Sequence, residues 1–146
     1  MWLNSIIAYF HFIGILVMFS SLIVEISLLN GKITKDNIRL ITKADLFFGI
    51  FAGITVITGL LRMFYFGKGV DYYLINPLFI IKLTIFILVG LLSVYPTITF
   101  LKSRKVKDKV IILTDLKRIK LIVAVEIIFL LLIPFLGVLV RNGYGI

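Results

Sequence analysis

Of the 146 residues, 61% are hydrophobic and the mean hydropathy is +1.16, far above the roughly 45–50% apolar share of an ordinary globular chain. That balance points to an integral membrane protein and excludes a soluble enzyme fold. No cysteine is present, which removes disulfides, thiolate metal sites and cysteine nucleophiles, and the net charge of +9 is expected to face anionic lipid rather than nucleic acid.

Four apolar segments approach or exceed the roughly 20 residues that cross a hydrocarbon core. They predict an all-α, four-helix integral membrane bundle with helices near 5–29, 44–66, 77–101 and 119–141, forming a single transmembrane domain over 1–146. The first segment opens with "MWLNSI", which has no basic stretch, and it does not end in a small-residue cleavage site, so it is expected to remain as a helix. Asn30-Gly31 is expected to close helix 1, and Gly67 and Gly69 to close helix 2. Asn76-Pro77 reads as a cap followed by proline at the first helical position, and Thr114 or Asp115 as the cap of helix 4. Pro96 and Pro134 fall inside helices 3 and 4 and predict kinks there.

The basic residues set an expected orientation, because cationic loops stay on the cytoplasmic side. Lys32, Lys35, Arg39 and Lys43 follow helix 1; Lys102, Arg104, Lys105, Lys107, Lys109, Lys117 and Arg118 follow helix 3. The connection between helices 2 and 3 carries only Lys68 against Asp71. Both termini are therefore expected outside. Within the second basic connection, Val110 to Leu113 suggests a segment lying on the membrane surface.

With a rise of about 1.5 Å per residue, the ionisable residues inside the helices divide into two layers. His11, Arg62, Lys82 and, nearer the surface, Arg141 fall in the outer half; Glu25, Asp45 and Glu126 fall in the inner half. Residues spaced by three, four and seven share a helix face. Such stripes are His11, Gly14, Met18, Ser21 and Glu25 on helix 1, and Asp45, Ala52, Thr55, Gly59 and Arg62 on helix 2. Lys82, Val89, Ser93 and Pro96 on helix 3 and Glu126, Ile133 and Gly137 on helix 4 complete the set. Each helix is expected to turn its polar and small residues toward a common axis.

An intramembrane ionisable residue is costly and marks a functional hypothesis. His11 and Lys82, at matching depth on different helices, are two nitrogen donors suited to one haem iron, Lys82 ligating as the neutral amine. Arg62 would pair with haem propionates. Phe10, Phe12, Met63, Phe64, Phe79 and Phe86 would wall a flat apolar macrocycle. Other readings stay open: Lys82 snorkelling to the outer interface or pairing with Glu126 or Asp71, and His11 as a hydrogen-bonded packing residue. Glu25, Asp45 and Glu126 form an alternative proton or cation site for a small carrier, although water and loop lysines are expected to reach Glu25 and Asp45. A third reading is a non-catalytic subunit that packs through Gly49, Gly53 and Gly59 against a larger complex or another copy.

The stretches "HFIGILVMFSSLIVE", "KADLFFGIFAGITVITGLLRMFYFGKG" and "NPLFIIKLTIFILVGLLSVYPTITFL" resemble a family of small bacterial four-helix membrane proteins of unknown function. More distantly, the histidine in helix 1, the glycine-rich helix 2 and the lysine-leucine pair in helix 3 are similar to HemJ-type protoporphyrinogen oxidases. That resemblance implies a multi-pass protein of a bacterial inner membrane with haem b held by His11 and Lys82. It also implies oxidation of a porphyrin precursor, with electrons passing to a carrier such as quinone. The chain departs from the HemJ pattern after His11, and it has Ile80 where that family has a histidine two residues before the lysine.

Overall fold

The computed structural model describes residues 2–30, 32–107, 110–113 and 115–146. Among the described residues four helices are long and apolar enough to cross a membrane: α1 (Trp2–Leu28), α2 (Lys35–Leu61, continued by a π-helical turn Arg62–Phe66), α4 (Pro77–Arg104) and α5 (Leu116–Arg141). A short helix α3 (Val70–Ile75) joins α2 to α4. Around the bundle α1 packs on α2 and α5, and α4 packs on α2 and α5, which sets α1 diagonally across from α4. Outward faces carry exposed apolar side chains such as Leu16, Phe47, Ile57, Leu91 and Leu131, as a surface solvated by lipid requires.

The sequence stripes are the inward faces. Gly14, Met18, Ser21 and Glu25 are buried on α1, Asp45 and Thr55 on α2, Val89 and Pro96 on α4, and Glu126 and Ile133 on α5. The closest approach lies at Gly14, where a Cβ would collide with Thr55 Oγ1 and meet the Phe51 carbonyl. A residue without a side chain is what allows α1 and α2 to touch there.

Helix limits differ from expectation mainly at the end with the basic connections. α2 begins at Lys35, nine residues before its apolar run, because Thr34 caps it: the Thr34 hydroxyl accepts from Asn37 N at 3.2 Å. Lys35, Arg39 and Lys43 are therefore helical rather than loop residues. α1 stops at Leu28, and Asn30 Nδ2 donates to the Ser27 carbonyl at 3.3 Å; Gly31, Lys109 and the proposed cap Thr114 lie outside the described residues. Asp115 occupies the N-cap position of α5 in a left-handed conformation, φ 66°, but makes no capping bond. Its carboxylate instead accepts from Tyr95 OH at 3.2 Å.

The segment expected on the membrane surface pairs with the other basic connection. Ile33–Thr34 (β1) and Val110–Ile111 (β2) form a two-residue antiparallel bridge. Alternation then buries Ile111 and Leu113 and leaves Ile112 90% exposed. Leu29, Ile33, Ile38, Ile41, Phe100 and Ile119 are wholly or almost wholly buried around this bridge. The densest apolar core thus sits at the end of the bundle, where water is available to drive burial at roughly 1.5–3 kcal/mol per large side chain.

The opposite end is closed by polar contacts. Asn76 accepts from Leu78 N and Phe79 N at 2.9 and 3.3 Å, the expected cap ahead of Pro77, and donates to the Tyr144 carbonyl at 2.9 Å. Tyr72 OH donates to the Val140 carbonyl and Lys68 Nζ to that of Arg141. After the π-helical turn, Gly67 packs so closely on the Arg62 carbonyl and Tyr73 OH that a Cβ would stand 2.6 Å from each. α4 and α5 run on as single helices through Pro96 and Pro134.

Candidate functional site

Two polar layers occupy the bundle, separated along α1 by the fourteen residue steps from His11 to Glu25, or roughly 21 Å of helix. In the outer layer, His11 on α1 reaches across to α2. Its Nδ1 lies 3.1 Å from the Thr55 carbonyl and 3.0 Å from Thr58 Oγ1. The Thr58 hydroxyl donates to the Ile54 carbonyl at 2.7 Å, so both partners of Nδ1 are acceptors and Nδ1 carries the hydrogen. In the neutral ring, Nε2 then holds the free lone pair. The approach depends on Gly59, whose Cβ would stand 3.2 Å from His11 Cε1.

Arg62 and Lys82 complete this layer: the charges of both act on His11, and that of Arg62 on Lys82. Lys82 Nζ lies 5.0 Å above the Phe79 ring. Among the described residues the one ion pair within 4 Å is Arg39–Asp36, at 3.6 Å, so neither Glu126 nor Asp71 neutralises Lys82 and no carboxylate neutralises Arg62. Arg62 opens the π-helical turn, a local insertion that is frequent at functional sites. Arg141 ends α5 exposed at the surface. The expected aromatic wall is only partly present: Phe10, Phe12 and Phe64 are more than half exposed and turn outward, while Met63 is buried and Phe79 and Phe86 are half-buried.

In the inner layer, Glu25 on α1 and Glu126 on α5 are each 1% exposed, and Oε1 of each has no hydrogen-bond partner among the described residues. Asp45 on α2 is an acidic neighbour of both. It is buried, and its Oδ1 accepts from Thr97 Oγ1 on α4 at 2.7 Å. Glu25 is enclosed beneath the apolar core, whereas Asp45 lines a groove that opens beside Lys43. Among the described residues no three His, Asp or Glu side chains converge to hold a metal ion. A groove of about 430 Å³ between α2 and α4 is lined by Asp45, Gly49, Ser93 and Thr97, with Lys43 and Arg104 among its exposed lining residues.

Sequence spacing identified both layers but missed the hydroxyls that orient them. Thr58 follows Thr55 by three residues and precedes Arg62 by four, so the same periodicity that marked Arg62 could have found it. Thr97 lies one residue past Pro96 on α4, and no spacing on a single helix links it to Asp45.

Four helices long and apolar enough to cross the hydrocarbon region, with Glu25, Asp45 and Glu126 buried on their inward stripes, define an all-α integral membrane protein. The chain belongs to the family described as "Predicted membrane protein (DUF2214)", whose model matches residues 3–145. No curated protein and no solved structure matches it.

Proposed function

We propose that the protein is a haem b-binding membrane redox protein, its iron held by His11 and Lys82 and a propionate met by Arg62. The observation that carries this reading is the imidazole of His11, fixed through Nδ1 by two acceptors with Nε2 left as a lone-pair donor. A ligating histidine usually has one ring nitrogen anchored by a hydrogen bond, which aims the other. The residues fit the group in kind. Lys82 supplies a second nitrogen from the diagonally opposite helix, and α4, which carries it, is the least enclosed of the four in its most apolar stretch. Arg62 and Lys82, which form no ion pair among the described residues, favour an anionic ligand beside them.

Haem would supply one-electron transfer. The chain's own part is to hold the ring of His11 through Thr55 and Thr58, to place Arg62 on a π-helical turn where its guanidinium can meet a carboxylate, and to exclude bulk water with the apolar bundle. The similarity to HemJ-type enzymes extends the proposal to oxidation of a porphyrin precursor, with quinone as electron acceptor. The basic connections extend it to a single transmembrane domain with both termini outside a bacterial inner membrane.

Absorption spectra of the detergent-purified protein, oxidised and dithionite-reduced, test this. Sharp reduced haem bands that disappear in His11→Ala and change ligation in Lys82→Ala are expected. A colourless protein, after haem is supplied during expression, would remove the redox reading.

A further inference from the structure

We propose that Glu25 and Glu126 form a buried proton-exchange site, reached from the end of the bundle with the basic connections through the α2–α4 groove and Asp45. The proposal is independent of the haem reading and concerns the opposite layer.

Glu25 and Glu126 are both almost wholly buried, on neighbouring helices, and each has an Oε1 without a partner. A buried carboxyl oxygen left without a hydrogen bond costs about 1–3 kcal/mol or more, and such groups are retained where they have work to do. A cation would coordinate the bare oxygens, and a proton would neutralise a carboxyl and turn one oxygen into a hydrogen-bond donor. The absence of a converging three-ligand cluster among the described residues favours the proton, which needs only one oxygen.

Asp45 supplies the connection. Its charge acts on both glutamates, and it lines the groove, where Thr97 holds its Oδ1 and Thr42 and Ser93 line the way. The charged groups on the packed elements are arranged consistently. α2 presents Asp45 with Lys43 at the groove, α4 presents Arg104, and α5 presents Glu126. Lys120 Nζ on α5 donates to Asn30 Oδ1 at 2.6 Å. No basic side chain forms an ion pair with Glu25, Asp45 or Glu126 among the described residues. A proton entering from hydronium at the groove would pass to the Asp45 carboxylate and on, through water, to either glutamate. Each transfer makes one O–H bond and breaks another, with no oxidation or reduction.

Gly49 and Gly53 make the route testable. Both offer open space around a new Cβ, but Gly49 lines the groove and Gly53, one turn along, does not. Infrared spectra of the purified protein in liposomes, followed through a pH titration and a transfer into D2O, read the carboxylic-acid carbonyl bands. Glu25→Gln and Glu126→Gln are expected each to remove one band, and Gly49→Leu to slow deuterium exchange of both bands several-fold while Gly53→Leu leaves it unchanged. Bands that survive both glutamine variants would overturn the proposal, as would equal exchange in the two glycine variants. Displacement of the bands by added sodium or calcium chloride would overturn it in favour of a cation site.

Discussion

The outer and inner layers solve the same problem differently. In the outer layer, His11 is satisfied on one side by Thr55 and Thr58 while Arg62 and Lys82 form no ion pair among the described residues. In the inner layer, Asp45 is satisfied by Thr97 while Glu25 and Glu126 each keep a bare oxygen. One layer therefore collects nitrogen donors and cations, the other carboxyls, and the apolar middle of the bundle insulates them. Opposite charges placed close together would have neutralised each other. Keeping them roughly 20 Å apart along the helices leaves each layer available to a ligand of its own.

The contact that holds the layers in register is the seam at Gly14 and Thr55, so breaking it should have the largest effect. Gly14→Leu forces a side chain into Thr55 Oγ1 and the Phe51 carbonyl and is expected to destabilise the protein by about 3 kcal/mol. Thermal unfolding in detergent checks this, with Gly137→Leu, where a Cβ meets nothing within 4 Å, as the near-neutral control. The comparison sharpens at Glu126. Replacing a buried carboxyl that has an unpartnered oxygen by a similar apolar side chain, Glu126→Leu, should raise stability by about 1–2 kcal/mol in the same unfolding assay while abolishing one carboxylic-acid band.

Thr58→Val removes one of the two acceptors of His11 Nδ1 and leaves the Thr55 carbonyl. A loss of about 0.5–1.5 kcal/mol in stability is expected, together with about 10–100-fold weaker haem binding, measured by titration of haem into the purified protein. At the low end, Arg39→Ala cuts an exposed ion pair with Asp36 and should change stability by less than about 0.5 kcal/mol. A larger change would mean that the basic end contributes more to the fold than its buried apolar core implies.

Much of this was legible from periodicity, because in lipid a helix must satisfy its own backbone and can hide polar side chains on only one face. His11 through Glu25 and Asp45 through Arg62 were readable for that reason. The Asn76-Pro77 cap was readable because its chemistry is local. The basic connections were not: apolar runs mark where lipid is, not where a helix begins, so the Thr34 cap and the early start of α2 lay outside the pattern. The pairing of Ile33–Thr34 with Val110–Ile111 joins residues far apart in sequence, and two-residue strands leave no alternation to detect. The aromatic side chains misled for a related reason, since Phe10, Phe12 and Phe64 suit a lipid-facing surface as well as a cofactor wall.

The most direct test of the two-layer account is the haem content per polypeptide of His11→Ala and Glu25→Gln, purified alongside the unaltered protein. The account predicts that His11→Ala loses haem and Glu25→Gln keeps the full complement. Haem retained in His11→Ala, or lost in Glu25→Gln with the fold intact, would contradict it.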